Sequence, residues 1–280
     1  MVLVADCGAT KADWVLIEEG KADRIVHTRG FNPVVHQPEL LLGELRKVAE
    51  ELLPRIIPQK VFYYGAGCWD ARRKAVISNC IQEVWPQTEM EIMHDLLGAG
   101  RATCGHSAGI ACILGTGSNT CLYDGKEVID NVTNLGYLLG DEGSGSYLGK
   151  AFLRAYFYRE LDDDLESAFE SYTQLDRSVV LDNVYESDIP NTYLASFCRF
   201  MGQHLDHPLV QKIIFDGFGA FLDRHVRKYK GHLELPVHFI GSIAFHFKPI
   251  LLAALHERDM HAGNFVQKPI VALADFHRLS

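Results

Sequence analysis

The 280 residues are 48% hydrophobic and 22% charged, the balance of an ordinary soluble globular chain long enough for one large domain or two smaller ones. The net charge of −9, with acidic and basic residues interspersed, excludes a nucleic-acid backbone as partner, because phosphate neutralisation needs clustered Lys and Arg. No apolar run approaches a membrane span and no charged, then apolar, leader opens the sequence, so the expectation is a cytoplasmic protein with no membrane partner.

Taken in order, the chain begins with an apolar strand, Val2-Leu3-Val4-Ala5, running into Asp6-Cys7-Gly8-Ala9-Thr10-Lys11. Trp14-Val15-Leu16-Ile17 reads as a strand paired with the first across that turn, and another strand starts near Arg24. Gly30-Phe31-Asn32-Pro33 breaks the chain. From Pro38, Leu41, Leu42, Leu45, Val48, Ala49, Leu52 and Leu53 recur at helical spacing up to Pro54. Val61-Phe62-Tyr63-Tyr64 is a strand ending in Gly65-Ala66-Gly67, a helix covers about 71–84, and Glu91-Ile92-Met93-His94 is a strand followed by Asp95. This order fits a mixed sheet with helices on its faces.

The opening then repeats. Ile110-Ala111-Cys112-Ile113-Leu114 meets Gly115-Thr116-Gly117-Ser118-Asn119, and Thr120-Cys121-Leu122-Tyr123 leaves it towards an Asp124-Gly125 hairpin turn. Each loop follows a buried-type strand, and in each the missing β-carbons let backbone N–H groups approach an anion while Thr and Ser add hydroxyl donors. Two such loops predict a duplicated fold gripping one polyphosphate from both sides. A glycine-rich stretch from Gly136 to Gly145 precedes a helix through Tyr147, Leu148, Ala151, Phe152 and Ala155. Asp162-Asp163-Asp164 reads as a turn and helix N-cap, helical patterns fill much of 160–230, Val237-His238-Phe239-Ile240 is a late strand ending in Gly241-Ser242, and the residues after Pro269 are helical. No low-complexity linker separates the halves.

Seven cysteines, odd in number and with no C-x-x-C pair, read as reduced thiols in core positions, Cys7 included. His256 and His261 are too far apart for one helical face, so they read as a surface cluster rather than a zinc site.

These features resemble the sugar-kinase branch of the actin/Hsp70/hexokinase superfamily, and most closely the N-acetylglucosamine kinases in the group that includes the BadF/BadG-type ATPases. The marks are Asp6-x-Gly8-x-Thr10-Lys11, Asp95 after a strand, Gly115-Thr116-Gly117-Ser118-Asn119, Gly136-Tyr137-Leu138-Leu139-Gly140-Asp141-Glu142-Gly143-Ser144, and Phe239-Ile240-Gly241-Ser242. The resemblance implies an α/β fold of two similar ribonuclease H-like (actin-like ATPase) domains with an interdomain cleft. The expected division is 1–105 and 106–280, with the last helix, about 269–280, packing back on the N-terminal domain.

The activity implied is ATP-dependent transfer of the γ-phosphate to the 6-hydroxyl of N-acetylglucosamine or a close relative. Gly8, Thr10 and Lys11 would hold phosphates from one lobe, and Gly115, Thr116, Gly117 and Ser118 from the other. Asp6, acidic beside a phosphate, makes sense with a hydrated Mg²⁺ between them, and otherwise as a hairpin-turn residue. Asp95 would be the general base, or an N-cap using the same carboxylate. Asn32, Thr116, Asn119 and Asp141 match sugar-contacting positions; Asn32 before proline reads equally as a turn residue, and Asp141 as a helix cap. Gly241 and Ser242 would lie against adenosine, as would Gly219, for which helix packing is an equal motive. Relatives often carry Trp where Tyr137 stands, so the sugar-pocket wall differs here. A homodimer is also expected.

Rival readings are an N-acetylmuramic acid kinase, a BadF/BadG-type ATPase that activates a reductase, and a sugar sensor without turnover. No clear cluster-ligand set supports the second, and the Asp6, Asp95 and Asp141 set argues against the third. A Cys-rich zinc motif of the repressor/kinase type is missing. A dinucleotide-binding dehydrogenase is rejected because Gly115-Thr116-Gly117 lacks the third glycine at its offset.

Overall fold

The computed structural model describes residues 1–54 and 57–278. The final two residues of the expected 269–280 helix lie outside this range. The chain divides into two compact units. The first comprises Met1–Ser107, Gly125–Glu127 and the C-terminal stretch from Lys268; the second comprises Ala108–Asp124 and Val128–Gln267.

The first unit is built on strands β1 (Val2–Cys7), β2 (Lys11–Ile17), β3 (Arg24–Arg29), β4 (Lys60–Gly65) and β5 (Glu89–His94), with helices α1 (Pro38–Leu52), α2 (Ala71–Val84) and α3 (Asp95–Cys104). The sheet order is β3-β2-β1-β4-β5, antiparallel at β3-β2-β1 and parallel at β1-β4-β5. Leu3, Val4 and Ala5 are all fully buried because both faces of β1 are covered. Leu3, Ala5 and Cys7 pack with Trp14, Leu41, Leu45, Val48 and Ile77 under α1 and α2. Val4, Val15 and Tyr64 face Met93, Ala102, Ile270, Leu273 and Ala274 on the other side. Pro38 at the first turn opens α1, and its buried stripe Leu41, Leu45, Val48 and Leu52 follows the 3.6-residue period. Asp70 caps α2, its carboxylate accepting the Arg73 amide at 2.8 Å.

The second unit repeats this arrangement with β6 (Gly109–Leu114), β7 (Ser118–Tyr123), β8 (Val128–Asp130), β9 (Val237–Ile240) and β10 (Ala262–Val266) in the order β10-β9-β6-β7-β8. Again the central strand is antiparallel to its hairpin partner and parallel to the later strand. Where one helix joins β3 to β4, a helical insertion joins β8 to β9: α4 (Gly136–Leu139), α5 (Gly145–Phe157), α6 (Asp163–Tyr172), α7 (Arg177–Tyr185), α8 (Pro190–Ser196), α9 (Cys198–Gln203) and α10 (Pro208–Arg224). Helices α11 (Ser242–His246) and α12 (Lys248–His256) connect β9 to β10. Phe152, Phe169, Phe200, Phe218 and Phe221 bury their rings with Ile110, Cys112 and Leu114 in one core. Asp162 caps α6 through the Leu165 amide.

Helix α13 (Pro269–Arg278) packs in the first unit against α3, β1 and β2. There Tyr64 Oη sits 2.8 Å from His277 Nε2 and accepts from Arg101 Nη1 at 2.8 Å. Burial and the Arg101 charge push His277 down to about 4. All seven cysteines are free thiols. Among the described residues no helix is long and apolar enough to cross a membrane, and no group of three or more His, Cys, Asp or Glu could hold a metal.

Candidate active site

In the first unit the turn after β1 is closed on itself. The Gly8 amide donates to the Lys11 carbonyl at 3.0 Å, while the Gly30 and Phe31 amides donate to the Thr10 and Gly8 carbonyls at 3.0 and 3.1 Å. A β-carbon on Gly30 would stand 2.2 Å from the Gly8 carbonyl oxygen, so only glycine lets the segment after β3 lie under the turn. The Gly8 amide is therefore spent within the hairpin. The amides of Ala9 and Thr10 donate to no protein group among the described residues, and Thr10 and Lys11 are exposed. Cys7 is a packing residue: its sulfur accepts the Phe31 amide at 3.3 Å, and burial pushes its thiol up to about 12.

Asp6 is the penultimate residue of the same strand and keeps part of its surface in solvent. Desolvation, with Asp13 and Asp95 nearby, raises its carboxyl to about 7 against the opposing pull of Lys11. Asp95 is the first residue of α3, where the partial positive charge of the helix N-terminus favours a carboxylate. The cap itself is His94, whose Nδ1 accepts the Leu96 amide at 3.3 Å. Asp95 Oδ1 is buried and has no hydrogen-bond donor although His94 Nδ1 lies 2.9 Å away; the Asp95 side chain as a whole stays 23% exposed, so the carboxylate is open at its other oxygen. Asp95 is thus at the cap without being the cap. Asn32 forms the turn that its place before proline suggests: its Oδ1 accepts the Val34 amide at 2.9 Å. Gly67, at φ +76°, brings the loop after β4 against that oxygen, where a β-carbon would sit 2.2 Å away.

The equivalent turn in the second unit is held differently. The Gly115 amide bonds the Gly117 carbonyl at 3.0 Å, and the Gly115 and Thr116 carbonyls accept the Gly145 and Ser146 amides at 2.8 and 3.0 Å. The Thr116 and Gly117 amides make no protein hydrogen bond among the described residues. Asp141 closes one side: its Oδ1 accepts the Ser118 amide at 3.0 Å and Asn134 Nδ2 at 2.9 Å. It is buried and adopts φ +57°, and desolvation raises its carboxyl despite those two donors. The reading of Asp141 as a helix cap is corrected here, because Ser144 caps α5 through the Tyr147 amide. Asn119 turns its Oδ1 to the Thr120 amide and to Asn131 Nδ2, leaving its own amide nitrogen without a protein partner among the described residues.

Gly241, at φ +108°, lies where a β-carbon would approach the Leu114 carbonyl oxygen to 2.2 Å. Gly241 and Ser242 are thereby fixed beside the Gly115 turn. Next to them opens a cavity of about 790 Å³ lined by Tyr172, Ala195, Arg199, Ser242, His246 and Phe247. Ala195 also packs on Gly145, so the cavity adjoins the turn from a second side. Gly219 does not line this cavity. It is buried in α10, where a β-carbon would meet Arg258 Nη2 at 2.6 Å, so helix packing accounts for it.

Four contributors escaped the sequence reading. Asn134 holds both Asp141 and Ser118, and its place before Leu135-Gly136 was the one available signal. Glu142 pairs with Arg224 and lies 3.1 Å from His225, anchoring the turn that carries Asp141. His94 stands against Asp95, and the exposed Trp69 sets its ring edge near His94, centroids 6.5 Å apart.

No family model matches the chain. Among solved structures, a candidate N-acetylglucosamine kinase from Porphyromonas gingivalis is 37% identical, with a TM-score of 0.91 over 100% of this chain and 99% of that one. A second candidate N-acetylglucosamine kinase, from Chromobacterium violaceum, shares the fold at 15% identity and TM-score 0.74, covering 98% of each chain. A ROK family glucokinase from Streptomyces griseus, solved with glucose and AMPPNP, shares it at 12% identity and TM-score 0.57, over 100% of this chain and 99% of that one. The duplicated mixed sheets are those of the actin-like ATPase fold, and the chain belongs to the N-acetylglucosamine kinase-like family of actin-like sugar kinases.

Proposed function

We propose that this protein is an ATP-dependent amino-sugar kinase that phosphorylates the 6-hydroxyl of N-acetylglucosamine or a close relative. Asp95 carries the reading. It is a carboxylate at a helix N-terminus with one oxygen buried and undonated and the side chain still reachable from solvent, which a protein that only binds sugar has no need of. The identity to the Porphyromonas gingivalis protein supports the acceptor class.

In this reading the cavity beside Ser242 takes adenosine, and the unpaired amides of Thr116 and Gly117, with the Ser118 and Thr116 hydroxyls, take phosphate oxygens. On the first unit, Ala9, Thr10 and Lys11 serve the terminal phosphates. The acceptor is held by Asn32, Asn119 and Asp141. Asp95 accepts the proton of the hydroxyl as its oxygen attacks the γ-phosphorus and the bond to the β-phosphate oxygen breaks, releasing ADP. Asp6 is suited to a hydrated Mg²⁺: its carboxyl is raised to about 7 among other carboxylates, a site short of positive charge, and no cluster able to ligate a metal directly exists among the described residues. The cation would supply charge neutralisation of the phosphates.

The test is ATP consumption with a panel of amino sugars, N-acetylglucosamine and N-acetylmuramic acid included, with and without Mg²⁺. Turnover that requires both an amino sugar and Mg²⁺ supports the reading. Folded protein without sugar-stimulated turnover overturns it.

A further inference from the structure

We propose that Trp69 is the apolar wall against which the acceptor's N-acyl group lies, and that it thereby sets a preference for N-acylated amino sugars. The inference rests on the kinase reading above and adds a residue and a chemical group to it. Trp69 is 57% exposed, a large apolar ring left facing water. It is nevertheless held in place. The Arg73 guanidinium lies over the ring, 4.2 Å from its centroid, and is itself paired with the Asp70 carboxylate. The His94 ring meets it at 62°, with centroids 6.5 Å apart. An exposed aromatic fixed in this way offers a broad contact face and loses little side-chain freedom when a ligand covers it.

The surroundings of the ring point to what covers it. The chain reaches Trp69 through Gly65-Ala66-Gly67-Cys68, a loop locked to the Asn32 turn. The Ala66 amide donates to the Cys7 carbonyl at 2.9 Å, and a β-carbon on Gly67 would stand 2.2 Å from Asn32 Oδ1. On the other side His94 separates Trp69 from Asp95, its Nδ1 lying 2.9 Å from Asp95 Oδ1. Trp69 therefore adjoins one proposed acceptor residue and stands one side chain away from the proposed base. A pyranose has a matching span, because C2 lies across the ring from C5, which carries the C6 hydroxyl. With that hydroxyl at Asp95, the C2 substituent falls a ring's width away, on the Trp69 side. The methyl of an N-acyl group is the most apolar part of such an acceptor, and covering it with an indole gains hydrophobic free energy that a 2-hydroxyl cannot supply. The ring is an open wall, so longer acyl chains fit against it as well.

The other two tryptophans, Trp14 and Trp85, are buried, so the solvent-exposed part of the indole emission reports on Trp69. Titration with N-acetylglucosamine should shift that emission to the blue and shield it from acrylamide, and W69F should show neither response. No response in wild type at sugar concentrations that saturate turnover overturns the proposal and leaves the kinase reading standing. A response in protein that turns over no ATP keeps the contact and removes the kinase reading instead. In steady-state kinetics W69A should raise the KM for N-acetylglucosamine about tenfold with kcat within about twofold of wild type, the pattern of lost binding rather than lost chemistry, and W69F should recover most of the affinity. N-Propanoylglucosamine should show a wild-type KM no higher than that of N-acetylglucosamine. An unchanged KM in W69A, a fall in its kcat at constant KM, or a propanoyl sugar whose KM rises about tenfold overturns the proposal.

Discussion

The turns at Gly8–Thr10 and Gly115–Gly117 occupy equivalent places in two sheets of the same strand order, yet they are built to different ends. Each is closed from beneath by a glycine from another segment: Gly30 under the first, Gly241 beside the second, both with a β-carbon position 2.2 Å from a carbonyl oxygen of the strand-loop they touch. The duplication therefore conserves a way of holding a turn. What surrounds the turn differs. The first has Asp6 at its base and Asp95 close enough to raise it, a concentration of carboxylate with exposed Thr10 and Lys11 at the rim. The second has Asp141 and Asn134 tying its far end, and a cavity beside it. In the proposed function the base Asp95 and the cation-facing Asp6 lie in the first copy, while the second supplies the adenosine cavity and, in Asn119 and Asp141, two of the three acceptor contacts.

The largest effect that would separate the copies is on turnover. D95N, in the first unit, should lower kcat by about 10²–10⁴-fold with little change in thermal midpoint or sugar affinity, as steady-state kinetics and calorimetry would show. N134A, in the second, should instead weaken sugar binding, because Asp141 and the Ser118 segment lose a shared donor. Equal losses of kcat alone in both variants would erase the distinction.

Stability offers the next contrast. G241A must adopt φ +108° with a β-carbon against the Leu114 carbonyl, and should cost about 2–4 kcal/mol in denaturant unfolding. G8A meets only ordinary contact at 3.4 Å from the Lys11 carbonyl and should cost less than about 1 kcal/mol. Comparable losses would show that the two turns are not anchored as described.

Asp6 gives the first copy a pH signature. Its carboxyl is raised to about 7 in the folded protein, against about 3.9 for an unfolded Asp, so the native state keeps a proton that the unfolded chain has released. Its contribution is therefore greatest below the unfolded value and is lost as pH rises through the folded one, a window from about 4 to 7 and at most ~4 kcal/mol. Without divalent cation, the fall in stability across that window should be shallower in D6N than in wild type. Parallel pH profiles would contradict the burial and charge crowding assigned to Asp6. A modest effect is expected of S144A, which should cost about 1 kcal/mol by removing the cap of α5.

How much of this was legible in the sequence follows from how local each feature is. The strands feeding the turns and helix α1 announce themselves through short apolar runs and a regular stripe. Strand β10 went unread because Gly263 and Asn264 break its pattern; they are there because the strand lies against His238, which accepts the Asn264 amide at 2.9 Å. Helix α7 has no buried residue and so no apolar stripe to read. At the site, Asp6, Asp95, Thr116 and Asp141 stood out by motif. Ser144 displaced Asp141 as the cap because Asp141 takes a left-handed conformation that no local pattern specifies. Asn134 meets Ser118 across 16 residues, and His94 takes the cap of α3 from Asp95 through a ring nitrogen rather than a carboxylate.

The most direct measurement is ATP turnover by the purified protein with N-acetylglucosamine and Mg²⁺, with the product identified by ³¹P and ¹³C NMR, in wild type and D95N side by side. The account predicts sugar-dependent ADP release, a phosphate on the 6-hydroxyl, and loss of both in D95N. Folded wild-type protein that releases no ADP in response to any amino sugar, or a D95N variant that turns over like wild type, would contradict it.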